Sequence, residues 1–410
     1  MRIAWFSPLP PARTGIARYS ADVLPLLDRA GLAIDRVEPH NAHDFVWKHK
    51  RGPYDLAVYQ LGNARWHDYM WGYLFRYPGL VVLHDPGVHH ARAAQLLGER
   101  RVDDYRREFT YNHPSASPGA AEHAIEGLDS SALYRWPMRR AVIESARVVA
   151  VHNEFVAGEL REQYLAARVE CIRLGTVDRK ASPGAREEIR ARHMIPPDGV
   201  LFMAFGLVTA EKRIESIVAA TSSLVSRGAN VHLLIAGETA LRGLDSLIAA
   251  HGIRERVRVT GYVEDDRMAD YLSAADVCLS LRWPSTGETS ASWIESLSAG
   301  TPGIVTALPH NAHVPSSVAL SIDLLDEETS LVAAMWRLAG DRVLRETMGR
   351  AARAYWQANH RVELMADDYR RVIAQAAVAP APSPIGLPAH LTDDYSALAT
   401  GIAREVGVNL

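Results

Sequence analysis

The sequence has little cysteine and no long apolar run. Only two cysteines, Cys171 and Cys278, occur in 410 residues. This excludes a disulfide scaffold or a cysteine-rich zinc module and fits a reducing compartment. No apolar run reaches the roughly 18 residues that a membrane-spanning helix needs. Pro8 and Pro10 interrupt the first residues before a signal-peptide core could form. We therefore expect a cytoplasmic protein.

The sequence also lacks an excess of charge of one sign. Its formal net charge is −3, whereas nucleic-acid-binding proteins have a strongly basic footprint, so no nucleic-acid partner is expected. Apolar residues make up 48% and charged residues 23%, close to the averages for globular proteins. A chain of this length can form two or three domains with large cores.

Short apolar runs alternate with longer stretches of helical period, in two successive blocks. The runs of the first block are residues 3–6, 56–60, 81–83, 148–151 and 171–174, and those of the second are 201–205, 231–236, 257–261, 277–281 and 304–306. Continuous apolar strands separated by helices predict parallel sheets that are covered on both faces. The predicted fold class is therefore α/β, with two doubly wound, Rossmann-like domains facing each other across a central cleft.

A polar segment containing prolines and glycines, residues 179–199, separates the two blocks and predicts an interdomain linker. We place the first domain at residues 1–185 and the second at 186–360. Residues 361–378 are expected to form a helix that returns to the first domain. Residues 379–410 are expected to form a proline-rich spacer followed by a tail helix at about 391–406.

Ligands of doubly wound sheets bind at the carboxyl ends of the strands, and the first such loop leads into a helix at Gly15. A glycine at this point lets an anion approach the free backbone N–H groups at the helix N-terminus. A tight turn without any ligand explains the same glycine equally well.

His84 directly follows the predicted strand that ends at residue 83. An imidazole in this position can donate a hydrogen bond to a hydroxyl or phosphate group, although a purely structural histidine is the alternative. His89 and His90 lie nearby, but Pro86-Gly87 interrupts any helix that would align the three as metal ligands, so no metal site is expected.

Gly206 ends the first strand of the second block, and Lys212 and Arg213 precede the next helix. Cations at the beginning of a helix are unfavourable unless an anion compensates them, and a diphosphate would do so. A solvated basic turn is the alternative interpretation.

The most informative segment is residues 282–302, which follow a strand and lead into a helix. We expect Glu288 in the loop and Glu295 one or two turns inside the helix. Such acids, together with exposed loop N–H groups, suit the hydroxyls of a sugar and a ribose. The alternative for Glu295 is a capping box with Ser292.

This segment resembles the signature of the retaining nucleotide-sugar glycosyltransferases of family 4, also called group 1, whose usual form is P-S-x-x-E-G-F-G-L-P-x-x-E-A-x-A-x-G-x-P. Pro284-Ser285-x-x-Glu288 and Glu295-x-x-x-Ala299-Gly300-x-Pro302 match it. Further matches in the right order extend over about residues 1–375: the Gly15 loop, His84-Asp85, residues 151–155, Gly206 to Lys212, and residues 261–277.

The resemblance implies a GT-B fold in which the second domain binds most of a nucleoside-diphosphate-sugar donor and the first domain meets the acceptor. It implies that Glu288 faces the sugar hydroxyls and Glu295 the ribose. The backbone amides near Thr289 and Ser290 would help to hold the sugar and the phosphates.

The remaining implied site residues surround the diphosphate and the reacting carbon. Lys212 would neutralise the diphosphate, Gly15 would offer it a backbone amide, and His84 would contact the transferred sugar. The arginine that the family has directly after the loop glycine is Leu207 here, and Arg213 is the expected substitute. The two acids are also one residue closer than usual, and without a gap Gly287 aligns with the first of them.

The expected reaction is retaining and metal-independent, with front-side attack by an acceptor hydroxyl, as in polysaccharide biosynthesis. No D-x-D metal motif occurs, and no cofactor is expected beyond the nucleotide sugar as co-substrate. The aromatic residues 65–76 and the arginines within 92–107 are candidates for a surface that binds a glycan or a lipid-linked acceptor. Peripheral contact with the inner membrane face would follow from the second kind of acceptor. A core helix with a solvated basic face is the alternative.

Two other functional classes remain open at this level. A nucleotide-sugar epimerase can share the architecture and would convert donor without an acceptor. A catalytically silent partner subunit would bind nucleotide weakly and turn nothing over.

Overall fold

The computed structural model describes residues 1–117, 119–127 and 132–393. The chain divides into two compact units. The first consists of Met1–Ile172 and the described residues from Asp367 onward, and the second is Arg173–Ala366. A six-stranded sheet forms the centre of each unit.

The sheet of the first unit is parallel throughout, with spatial order β2-β1-β3-β4-β5-β6. Its strands are β1 (Arg2–Phe6), β2 (Ala33–Val37), β3 (Leu56–Leu61), β4 (Leu80–Leu83), β5 (Val148–Val151) and β6 (Val169–Cys171). Ile3 of β1 lies between Ile34 and Leu56. Because β2 and β3 lie on opposite sides of β1, the direction of winding reverses between β1 and β3.

Helices connect these strands. They are α1 (Gly15–Arg29), α2 (Ala42–Arg51), α3 (Trp71–Leu74), α4 (His89–Gly98), α5 (Val102–Asn112), α6 (Ala120–Ile125), α7 (Ala132–Arg135), α8 (Arg140–Ser145) and α9 (Glu154–Gln163), and a 3₁₀ helix covers Arg65–Met70. Helix α1 begins where the Thr14 hydroxyl accepts a hydrogen bond from the Ala17 N–H at 3.0 Å, as expected for an N-cap threonine. Its buried positions 17, 20, 23, 24 and 27 follow helical spacing.

The sheet of the second unit is also parallel, with spatial order β12-β11-β10-β7-β8-β9. Its strands are β7 (Val200–Phe205), β8 (Val231–Ala236), β9 (Val257–Val259), β10 (Val277–Ser280), β11 (Gly303–Thr306) and β12 (Ala319–Ile322). The helices between residues 185 and 359 are α10 (Ala185–Arg192), α11 (Ile214–Ser226), α12 (Leu244–Ala250), α13 (Met268–Ala274), α14 (Ala291–Ser298), α15 (Glu327–Gly340) and α16 (Arg342–Asn359). Short 3₁₀ helices cover Ala210–Lys212, Pro309–Asn311 and Leu324–Asp326.

Alternate residues of β7 pack into two different cores. Phe202 and Ala204 lie in one apolar cluster, whereas Leu201, Met203 and Phe205 lie in the other. Both faces of the sheet are therefore covered, which is why these strands are continuous apolar runs in the sequence. The prediction of an α/β fold with two parallel sheets is confirmed.

Two helices complete the described chain. Helix α17 (Val362–Val378) begins in the second unit and belongs to the first from Asp367 onward. The short helix α18 (Ala389–Thr392) follows the proline-rich segment. Most of the tail helix expected at 391–406 lies outside the described residues. The domain boundaries expected at 185/186 and 360/361 remain a prediction.

Residues 173–184, which precede α10, pack within the second unit. The Ser182 N–H donates to Asp270 Oδ1 at 2.7 Å, and Thr176 pairs with Arg361 as an isolated bridge. These contacts explain why the second unit begins at Arg173. In the part of the chain that the structure describes, no helix combines the length and the apolar character that crossing a membrane requires.

Candidate donor-binding site

The direction of winding in the second sheet reverses between β7 and β10. Strands β8 and β9 lie on one side of β7, and β10 to β12 lie on the other. In open α/β sheets, ligands bind beside the carboxyl ends of the strands at such a switch point. The loops that leave β7 and β10 there contain four of the expected site residues, Gly206, Lys212, Ser290 and the expected catalytic residue Glu288.

Lys212 folds back over the end of β7. Its Nζ donates a hydrogen bond to the Phe205 carbonyl oxygen at 2.5 Å. Gly206 has φ +90°, and a Cβ there would lie 2.7 Å from the lysine Nζ. The site needs glycine at this position for two reasons, because the backbone is left-handed and because a side chain would displace the ammonium group.

The charge of Lys212 is strongly perturbed. Burial, and to a smaller extent the positive charge of Arg282, lower the pKa of its ammonium group to about 7, while Glu295 opposes the shift. The hydrogen-bond partner of Nζ is a neutral carbonyl rather than a carboxylate. An anion bound here would therefore favour the charged lysine.

Arg213 faces a different neighbour. It has φ +57°, and its Nε donates to Glu327 Oε1 at 2.8 Å, at the start of α15. The same carboxylate accepts a hydrogen bond from the Ser216 hydroxyl at 2.9 Å and raises the pKa of Arg213. The guanidinium group is thus engaged with α15, and its substitution for the family arginine remains a prediction. Leu207 is 55% exposed.

Glu288 holds the turn that follows β10. Its Oε2 accepts hydrogen bonds from the Ser285 hydroxyl at 3.0 Å, the Thr286 N–H at 2.9 Å and the Thr286 hydroxyl at 3.2 Å. Its Oε1 lies 3.2 Å from a guanidinium nitrogen of Arg282. Gly287 has φ +97°. One carboxylate oxygen therefore fixes the loop, while the other faces a cation.

Helix α14 begins one residue after Ser290, which is its N-cap. The Ser290 hydroxyl accepts from the Trp293 N–H at 3.3 Å and lies 3.2 Å from the Ser280 hydroxyl. Thr289 precedes this cap in the loop. A capping box between Ser292 and Glu295 is therefore wrong, because Ser292 is already inside the helix. Glu295 lies in the second turn of α14, as expected.

A small pocket adjoins Glu288. It is lined by residues from β10, β11 and their loops, including Ser280, Arg282, Glu288, Ser290, Thr306 and His310. Burial lowers the pKa of His310, and Glu288 opposes that shift. The Arg282 N–H donates to the Thr306 hydroxyl at 2.9 Å. No role of Arg282 is expected from the sequence, although its place after a buried strand is a signal for one.

In the first unit, His84 follows β4 and has both ring nitrogens close to other side chains. Nε2 lies 2.8 Å from Gln60 Oε1, and Nδ1 lies 3.1 Å from His152 Nε2. His152 in turn donates through Nδ1 to the Ile172 carbonyl oxygen at 2.8 Å. Burial and then His152 lower the pKa of His84 well below its usual value, which makes the imidazole neutral at pH 7. Its contact with a sugar remains a prediction.

Gly15 is the first residue of α1, and the space around its Cα is open. The neighbouring histidines have separate partners. His89 Nε2 lies 2.6 Å from the Tyr105 hydroxyl, and His90 Nδ1 lies 3.1 Å from the Asn63 amide. Within residues 1–117, 119–127 and 132–393, no group of three or more histidine, cysteine, aspartate or glutamate side chains could hold a metal ion.

The aromatic segment 65–76 is mostly core. His67, Met70, Trp71 and Leu74 are buried, whereas Trp66 is 51% exposed. Arg92, in α4, stacks over Trp71 at 4.2 Å and is paired with the buried Glu108 through its Nε at 2.8 Å. An acceptor surface here remains a prediction, and it would use the few exposed side chains of this segment.

A comparison with known protein families points to the same part of the chain. A model of the family "Glycosyl transferases group 1" matches residues 185–355, which contain the second sheet and both loops at its switch point. Residues 185–355 belong to the group 1 glycosyltransferases. The chain as a whole has the GT-B fold. The prediction of this family from the segment 282–302 is confirmed.

Individual relatives of this chain are more distant. The 2-deoxystreptamine glucosyltransferase of Streptomyces kanamyceticus is 28% identical over 217 residues, which are 51% of this chain and 53% of the relative. The chain spans about half the length of the curated relatives it matches. Among solved structures, sucrose-phosphate synthase from Thermosynechococcus elongatus superposes with a TM-score of 0.68 at 20% identity, covering 93% of this chain and 100% of the other. Anabaena HepE, in complex with UDP and glucose, gives a TM-score of 0.63 at 14% identity, covering 91% and 99%.

Proposed function

We propose that this chain is a glycosyltransferase that transfers a sugar from a nucleoside-diphosphate sugar to a hydroxyl of a glycan, a lipid-linked molecule or another acceptor. The observation that carries the proposal is Lys212, a lysine with a pKa of about 7 whose Nζ donates to a backbone carbonyl at the switch point of the sheet. The segment that follows β10 there contains two carboxylates, Glu288 and Glu295. A diphosphate supplies the missing negative charge, and the carboxylates supply acceptors for hydroxyl groups.

The proposed roles follow from the position of each group. Lys212 stabilises the charge that builds on the departing nucleoside diphosphate. Glu288 accepts hydrogen bonds from the donor sugar through Oε1, because Oε2 is occupied by the loop. Glu295 binds the ribose, and the amides near Thr289 and Ser290 hold the sugar and phosphates.

We further propose that transfer retains the anomeric configuration and requires no metal ion or cofactor. The acceptor hydroxyl attacks the donor face of the sugar while the carbon–oxygen bond to the diphosphate breaks, and its proton leaves with the departing phosphate oxygen. Gly15 contributes a backbone amide to the diphosphate, and His84 contributes a neutral imidazole near the sugar. A cation and fixed amides perform the charge stabilisation that a metal supplies in other enzymes.

The first test is donor binding. UDP-, GDP-, ADP- and TDP-sugars are screened for thermal stabilisation of the wild type, with UDP-glucose first because a glucosyltransferase and a UDP–glucose complex are among the similar proteins. A donor at 100 times its dissociation constant adds about 2.7 kcal/mol of stability. Glu295→Ala should weaken the shift, whereas Glu255→Ala, at the amino end of β9, should not. The absence of a shift with every donor would contradict the proposal.

The second test is turnover with glycan and lipid-linked acceptors. NMR of the product reports its anomeric configuration, and inversion would refute the retaining mechanism. Activity that EDTA abolishes and Mg²⁺ or Mn²⁺ restores would refute metal independence. Conversion of the donor without an acceptor would indicate an epimerase, and binding without any turnover would indicate a silent subunit. Vesicle flotation tests peripheral membrane contact, which a lipid-linked acceptor would require.

A further inference from the structure

We propose that Arg282 provides the second positive charge for the diphosphate of the donor, in place of the arginine that the family pattern has at position 207. The inference rests on the proposed function, because it names a ligand-binding residue of the same site. It concerns a residue to which the family pattern gives no role.

The backbone fixes Arg282 beside Lys212. The N–H of Trp283, the next residue, donates to the Glu211 carbonyl at 2.8 Å, and Glu211 directly precedes Lys212. The Arg282 N–H is bound by the Thr306 hydroxyl at 2.9 Å. Strands β7 and β10 are adjacent, so the two cations leave neighbouring strand ends.

The other candidates for this charge are less suitable. Leu207 has no charge, although its side chain is exposed. The Arg213 guanidinium donates to Glu327 through Nε and a second nitrogen. One edge of its guanidinium group is therefore held, and its charge is neutralised, by one carboxylate in a bidentate pair.

Arg282 has unused hydrogen-bonding capacity. Its ion pair with the described residues is to Glu288 at 3.2 Å, and its side chain is 28% exposed. A guanidinium group has five N–H donors in a planar fork. One edge can therefore hold Glu288 while another holds a phosphate oxygen.

Charge at the site favours the same arrangement. The positive charge of Arg282 contributes to the low pKa of Lys212, so the two cations repel each other in the free protein. A diphosphate between them removes this repulsion and binds both. The ion pair with Glu288 would also link the diphosphate to the carboxylate that faces the sugar.

The experiment compares a nucleoside diphosphate with its own nucleoside. Isothermal titration calorimetry measures the dissociation constants of UDP and of uridine, or of the corresponding pair for the base identified in the donor screen. Arg282→Gln should weaken binding of the nucleoside diphosphate at least tenfold and leave the affinity for the nucleoside within twofold of the wild type. Arg256→Gln is the matched control, since this half-buried arginine lies at the opposite, amino end of the sheet and binds Asn230. Leu207→Arg in the Arg282→Gln background should restore most of the affinity.

The outcomes separate the two proposals. A wild type that binds no nucleoside diphosphate contradicts the proposed function. Wild-type binding that Arg282→Gln leaves within twofold overturns this inference alone. Equal weakening of diphosphate and nucleoside also overturns it, because Arg282 would then only shape the loop.

A measurement on the wild type covers the case in which Arg282→Gln does not fold. Phenylglyoxal modifies accessible arginines, and peptide mass spectrometry follows the rate at each position. UDP, but not uridine, should slow modification of Arg282 and leave Arg256 unaffected. An unchanged rate at Arg282 in saturating UDP would refute the proposed contact.

Discussion

The N–H of Trp283 donates to the carbonyl of Glu211 at 2.8 Å. This bond joins the loop after β10 to the 3₁₀ helix that ends at Lys212. The two loops are distant in sequence, and each provides one cation and part of the proposed diphosphate site. Changes in either loop should therefore affect the other.

Lys212→Met should abolish donor binding and stabilise the free protein near neutral pH. The folded-state pKa of about 7 is below the ordinary 10.5, so the unfolded chain binds more protons between these values and wild-type stability rises with pH there. Below pH 7 the cost of the charged lysine is fully present. Replacing Lys212 should therefore add about 1–3 kcal/mol to the free energy of unfolding at pH 6.5 and less at pH 10. Urea unfolding at both pH values would show this difference. A variant that is equally stabilised at both would contradict the assigned pKa.

Donor affinity should fall as the pH rises above 7. The free protein loses the Lys212 proton near this pH, whereas Lys212 retains it in the complex with the diphosphate, so binding takes up a proton. The dissociation constant of the nucleotide sugar should rise by up to roughly tenfold per pH unit between 7 and 9. Calorimetry in buffers of different ionisation enthalpy measures the uptake. Lys212→Arg, whose charge does not titrate in this range, should show no such dependence.

Glu288→Gln should lower transferase activity more than it lowers donor affinity. The amide oxygen can still accept from Ser285 and Thr286, but the NH₂ group would face the guanidinium of Arg282, where Oε1 now lies. We expect a drop in kcat of roughly 10²-fold, the size seen when one oriented group in an active site is lost. Steady-state kinetics would show it, with Glu264→Gln as a control in another loop. An unchanged kcat would remove Glu288 from the proposed mechanism.

Arg213 and Glu327 should be coupled in stability. Their ion pair is partly exposed, with side-chain exposures of 34% and 12%, so a coupling energy of about 1 kcal/mol is expected. A double-mutant cycle with Arg213→Gln and Glu327→Gln in urea measures it. Arg213→Gln should also weaken nucleoside-diphosphate binding less than Arg282→Gln does. The reverse order would favour Arg213 as the substitute for the family arginine.

The protein should lose stability as the pH falls below about 6.5. Burial lowers the pKa of several histidines to about 4, among them His67, His113 and His152 in the first unit and His232 and His360 in the second. The unfolded chain binds protons at its ordinary pKa, so each group costs up to about 1.4 kcal/mol per pH unit between 6.5 and 4. Urea midpoints at pH 7.5, 6 and 5 would show the decline. His152→Asn should show a shallower pH dependence than the wild type.

The sequence predicts the central strands β7 and β8 but not the edge strands β2 and β12. β7 and β8 are continuous apolar runs because both faces of the sheet are covered. β2 (Ala33–Val37) and β12 (Ala319–Ile322) were missed, and both are edge strands. Their burial is uneven, with exposed or half-buried residues among buried ones. An edge strand pairs on one side only, so it does not require an apolar run.

The sequence likewise predicted some features of the candidate site and not others. Spacing along the chain placed Glu288 in a loop and Glu295 inside a helix, and both positions are observed. The alternative for Glu295, a capping box with Ser292, is wrong, because Ser290 is the N-cap and its hydroxyl also lies 3.2 Å from the Ser280 hydroxyl.

The sequence by itself determined the two α/β blocks, the family match and the loops in which the site is proposed, because strand periodicity and loop motifs are local properties of the chain. Only the tertiary structure decided which cations share a site. Arg213 is next to Lys212 in sequence but pairs with Glu327, whereas Arg282 is far away in sequence and lies beside it through the pairing of β7 with β10. Strand order is set by long-range packing, which no local pattern encodes, and here it determines the electrostatics of the site.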